Sequence, residues 1–168
     1  LAGGADHSAA YKLYDQELAP GAESFGLLSP ADALPRPGLL AWAWVVRHFQ
    51  DVVAANHIQS QALDLVILRH RGGQQTLVLW TRGAELAEVR LAAATSKVYL
   101  SDQYGRMAMV QQSVDGYKLM LQPAQCDASE GCFIGGPVQM LVMPPGLFSL
   151  YEIRNGEQHE LISFEEYE

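Results

Sequence analysis

From residue 62 onward the apolar pattern repeats every second residue, and this constrains the fold more than any other feature of the chain. LDLVILRH, then Arg71-Gly72-Gly73, then QTLVLWT predicts a hairpin, two β-rich runs joined through glycines that tolerate positive φ. AEVRL, KVYLS, RMAMVQQ, YKLML and VQMLVM follow at strand length, separated by turn residues such as Asp102 to Gly105 and Asp115-Gly116. Seven short strands with no βαβ rhythm predict a mainly β chain, an antiparallel β-sandwich. Within one strand Lys97, Tyr99 and Ser101 alternate with Val98 and Leu100, so the first set is expected on the wet side of the sheet. Asp102 is expected to bond its own turn, and Gly105 to accept positive φ there. After Pro144-Pro145-Gly146, the pair Asn155-Gly156 predicts a C-terminal β-hairpin. A two-residue loop sets Arg154 opposite Glu157 and Glu152 opposite His159, a register that also pairs opposite charges.

The first 37 residues hold Gly3, Gly4, Pro20, Gly21, Pro30, Pro35 and Pro37 and show no sustained period beyond Tyr11 to Leu18, which predicts an irregular arm. Pro37 stands where a first helical residue belongs, and no Gly or Pro interrupts the chain between Gly38 and Gly72. One N-terminal α-helix is therefore expected over about Pro37 to Val53, with Leu39, Trp42, Ala43, Val46, Phe49 and Val53 as its apolar stripe. Trp44 falls on the other side, among Arg47, His48 and Asp51, so the helix is expected to have neighbours on both sides. The expected division is an arm and helix over 1–58, the sandwich over 59–143 and the hairpin over 144–168.

With 11 basic and 19 acidic residues the net charge is −8, which argues against nucleic acid and anionic membrane surfaces as partners. The longest apolar run, Leu39 to Val46, is eight residues against the roughly 20 a membrane span needs. The sequence opens on Leu1 rather than methionine, which predicts a piece cut from a longer protein.

Two stretches resemble the C-terminal part of a secreted-type glycoside hydrolase whose (β/α)8 barrel is followed by a β-sandwich. FGLLSPADALPRPGLLAWAWVVRHF, Phe25 to Phe49, resembles the end of such a barrel, with Pro37, Ala41 and Trp42 at the matching helix start. Leu63 to Met143 resembles the appended sandwich, through the strand at Val78 to Trp80, the SKVYLSDQYG turn and the closing GGPVQMLV. Together they cover about 106 of the 168 residues. The resemblance implies an accessory or structural sandwich whose partner is the catalytic barrel of the parent chain, at the cell surface or outside the cell. It also implies that no catalytic residue lies in this chain, because the two carboxylates of such barrels precede Leu1. The alternatives are an independent carbohydrate-binding module, with polysaccharide as partner, and a homo-oligomerisation domain built on the helix and final hairpin.

Glycoside hydrolysis needs two carboxyl groups about 5 to 9.5 Å apart, and Asp15, Glu17 and Glu23 sit in the arm with no such setting. His7, His48, His57, His70 and His159 lack an i,i+4 pair or a cysteine at zinc spacing, so neither a metal nor a cofactor is expected. If the sandwich binds sugar, flat aromatic rings carry it. Tyr99 is the first candidate, Tyr104 in the adjoining turn the second, and Trp80 the third, with a core position for Trp80 as its competing assignment. Cys126 and Cys132, in the loop CDASEGC, fit a disulfide in an exported protein, with two free thiols as the alternative.

Overall fold

The computed structural model describes residue 13 and residues 26–29, 31–127 and 131–163. His7, Asp15, Glu17 and Glu23, and most of the arm, lie outside the described residues. Helix α1 spans Pro37–His48 with proline in its first turn, as the sequence predicts. It stops five residues short of the expected end. The Phe49 N–H donates to the Val45 carbonyl at 2.9 Å, and Asp51 adopts a left-handed φ of 57° that turns the chain back. An Asp accepts that conformation more readily than most residues.

The residues that follow belong to a strand the sequence pattern did not disclose. Strands β1 (Val52–Gln59), β2 (Leu63–His70), β3 (Gln75–Thr81), β4 (Ala87–Ala93), β5 (Tyr99–Asp102) and β6 (Met107–Met109) come first. Then come β7 (Tyr117–Leu121), β8 (Gln125–Asp127), β9 (Gly131–Ile134), β10 (Gln139–Met143), β11 (Phe148–Arg154) and β12 (Glu157–Ser163). They form a six-stranded sheet in the order β1-β2-β3-β10-β5-β6, a four-stranded sheet β12-β11-β4-β7 and the small pair β8-β9, all with antiparallel neighbours. The antiparallel sandwich expected from the period-two pattern is the observed architecture.

Leu63, Leu65 and Ile67 of β2, Leu77 and Leu79 of β3 and Leu141 of β10 face Val89, Leu91, Tyr117, Leu119, Leu121 and Leu150 of the smaller sheet, and all are buried. The opposite face of the larger sheet is buried as well. Leu68, Val78 and Met140 pack there beneath Trp44, Val45 and Phe49 of the helix region. Burial on both faces explains why β2 and β3 read as nearly continuous apolar runs, whereas β7, with one face open, alternates strictly. It also corrects the expectation for Ser101, which is fully buried: it lies opposite Met140, and directly opposed residues share a face, here the one the helix covers.

The helix region is docked mainly off the expected stripe, from which Phe49 takes part. Trp44, Val45 and Phe49 meet the sheet, while Leu40 and Val46 are 50% and 43% exposed. The final hairpin forms with Asn155 at φ 53° and Gly156 at φ 82°, and in the expected register of Arg154 with Glu157 and Glu152 with His159. It is no appendage, because β11 pairs along β4 in the centre of the smaller sheet.

The charges in that hairpin pair along the strand rather than across it. Glu152 is buried on the core side of β11, where Arg154, two residues on, forms an ion pair with it. Burial works against its ionisation, yet the Arg154 guanidinium beside it holds the carboxyl below the ordinary glutamate range. A carboxyl depressed on folding stabilises at neutral pH, and that contribution is lost as pH falls through its folded-state value. Arg154→Met should therefore lower the urea midpoint at pH 7, with the gap to the parent closing toward pH 3. A gap independent of pH would refute this account of the pair.

Candidate ligand-binding cleft

Where α1 ends, the β2–β3 turn, the β5–β6 edge and the end of β10 enclose an open cleft of about 1050 Å³ on the helix-covered side of the larger sheet. Local chemistry fixes its walls. The His70 ring bridges Gln50 O at Nδ1 and Thr76 Oγ1 at Nε2, both at 3.0 Å. A carbonyl only accepts, so Nδ1 carries the proton, and a neutral ring then accepts from Thr76. The Arg71 N–H donates to Asp51 O at 2.9 Å, which ties the hairpin turn to the end of the helix. Beside the cleft the β5–β6 turn closes as the sequence predicts. Asp102 Oδ1 accepts the N–H groups of Tyr104 and Arg106 at 2.9 and 3.0 Å, and its Oδ2 accepts Arg106 Nε. Gly105, at φ +84°, lets this turn rest on the indole of Trp44, where a Cβ would stand 3.1 Å from the ring.

The three aromatic candidates separate. Tyr99 lines the cleft, 39% exposed, opposite Val142, which lines it too. Tyr104 is exposed on the turn outside it, with the Arg106 guanidinium 5.9 Å over its ring. Trp80 lies neither in the sandwich interior nor in the cleft. It is half-buried in the helix-side cluster, its ring parallel to His57 at 6.4 Å. The His57 partner, buried Asp64, is bonded at 2.7 Å and also meets Gln59 and Arg82. Ser60 nearby spends its hydroxyl on the Leu63 carbonyl, so this His–Asp pair ties strands together without a free nucleophile beside it.

Sequence reasoning missed Trp44 and His48. Their signal was present in the placement of Trp44 off the apolar stripe among Arg47, His48 and Asp51. Both residues line the cleft, with rings edge to face at 4.1 Å. Burial lowers the His48 pKa, helped by the positive charge of Arg47. His48 Nε2 and Trp44 Nε1 are buried without a hydrogen-bond partner.

Elsewhere, Cys126 is disulfide-bonded, and the chain's other cysteine is Cys132. The described residues hold no group of three or more side chains suited to a metal, and none of their helices is long and apolar enough to cross a membrane. No protein family, no curated protein and no solved structure matches the chain.

Proposed function

We propose that this chain is a non-catalytic accessory β-sandwich, the C-terminal region of a barrel glycoside hydrolase, and that its outer cleft holds a saccharide. The observation that supports the saccharide assignment is the joint presence of Tyr99 and Trp44 in one open cleft beside Gln50, Gln74, Asp51 and His70. Flat rings match the C–H faces of pyranoses, and a few polar groups around an apolar platform set orientation. Titration against a panel of soluble polysaccharides tests it. Tyr99→Ala should abolish a weak affinity while changing stability by under about 1 kcal/mol, because the ring is substantially exposed. Binding to no member of the panel, or binding that survives Tyr99→Ala, overturns the assignment.

A second role has its own support. Leu40 and Val46 of α1 are exposed, and apolar groups left open on a helix suit packing against the parent barrel or, in isolation, against another copy. Light scattering should then show self-association that Val46→Glu reduces, and a monomer at high concentration would contradict it.

A further inference from the structure

We infer that the cleft selects acidic saccharides, those carrying carboxylate or sulfate groups; this rests on the saccharide-binding assignment above and narrows it. The chain has eight more acidic than basic residues, yet Arg47, Arg71 and Lys97 all line the cleft against a single acid, Asp51. Elsewhere Arg82, Arg90, Arg106, Lys118 and Arg154 each hold an acid in an ion pair. None of the three cleft cations has an ion-pair partner among the described residues, and the Arg47 guanidinium instead lies 5.9 Å over the Trp44 ring. Like charges gathered without counter-ions repel one another, and an anion entering the cleft relieves that repulsion.

A second observation points the same way. His48 is 9% exposed, and neither its Nε2 nor the indole nitrogen of Trp44 has a partner. An indole nitrogen can only donate, as can an ammonium or guanidinium. The ammonium of Lys97 and the guanidinium groups of Arg47 and Arg71 suit a ligand with charged acceptor oxygens, which carboxylate and sulfate supply and a neutral sugar hydroxyl matches less well. The aromatic rings of Tyr99 and Trp44 supply what a bare anion would not use. The overall charge of −8 does not cancel this local field, because charges beyond about 8 Å are largely screened at physiological ionic strength.

The test compares four polymers of matched length on the whole chain in about 50 mM salt: polygalacturonate, dextran sulfate, neutral dextran and polyglutamate. At least one acidic glycan should bind roughly tenfold more tightly than dextran, with the advantage shrinking toward about 500 mM salt. Which of the two binds better distinguishes carboxylate from sulfate, and either result supports the inference. Arg71→Glu and Lys97→Glu, both at exposed positions, should each weaken acidic-glycan binding about tenfold and leave the denaturation midpoint unchanged. Equal or tighter binding of dextran overturns the acidic preference and leaves the saccharide site standing. Polyglutamate binding as tightly as polygalacturonate, or no glycan binding at all, overturns the saccharide assignment itself. An acidic preference untouched by both charge reversals overturns the placement in this cleft.

Discussion

Tyr117→Ala is expected to destabilise the fold by about 3 to 5 kcal/mol, the range for removing a large aromatic from a packed core. Tyr117 is fully buried and lies in the cluster between the sheets, opposite Leu91 on β4. Its hydroxyl donates to the Thr95 carbonyl, anchoring the loop that leads into β5 and so the Tyr99 wall of the cleft. The two contributions can be separated. Tyr117→Phe keeps the ring and loses only the hydrogen bond, at a cost of about 1 to 3 kcal/mol for an acceptor left unpaired. Urea unfolding of both variants measures the difference. Equal losses would mean that the hydroxyl rather than the ring supports the core, and an alanine variant within 1 kcal/mol of the parent would refute the packing argument.

Gly136→Ala is the second large effect, and it acts through space rather than through φ. A Cβ at this position would stand 2.2 Å from Thr81 Oγ1 and 2.3 Å from the Gln122 carbonyl oxygen. Those two atoms are themselves hydrogen-bonded at 2.6 Å, and the Gly136 N–H donates to Thr81 O at 3.0 Å. The added methyl must therefore push apart a buried bond that joins β3 to the segment after β7. Overpacking and the broken bond together amount to about 2 to 5 kcal/mol, or a loss of melting temperature on the order of 10 °C for a chain of this size. Its neighbour supplies the control. At Gly135 the nearest obstacle is the half-buried Trp80 side chain, at 2.5 Å, with the Thr81 carbonyl oxygen at 3.2 Å, and no hydrogen-bonded pair stands in the way of the added methyl. Gly135→Ala should cost less, and calorimetry of the two variants would reverse this ranking if the Thr81–Gln122 bond were unimportant.

These two sites also connect stability to the cleft. Tyr117 holds the approach to β5, and Gly136 precedes β10, the strand that pairs with both β3 and β5. A variant that loosens either one is expected to disturb the Tyr99 wall from behind. For that reason the binding tests above use Arg71, Lys97 and Tyr99, which touch the cleft without holding the sandwich.

What the sequence determined by itself is local. Asn155-Gly156 specified its turn and strand register, Pro37 the helix start, and Asp102 with Gly105 the β5–β6 turn, because each depends on backbone preferences within a few residues. The period-two runs likewise specified the strands they cover, since alternation follows directly from the pleat. Pairings between distant segments were decided only by tertiary structure. Val53 continues the apolar stripe of the helix, yet pairing of β1 along β2 on either side of it makes it strand, a choice local periodicity cannot disclose. The helix carries apolar groups on both sides, so its pattern alone could not say that Trp44 rather than Leu40 and Val46 would meet the sheet. The cleft is the strongest case. Arg47, Arg71, Lys97 and Tyr99 come from the helix, a hairpin turn and a distant strand edge, and no spacing in the chain marks them as neighbours. Collapse of the helix onto a sheet buried on both faces is what brings their charges and rings together.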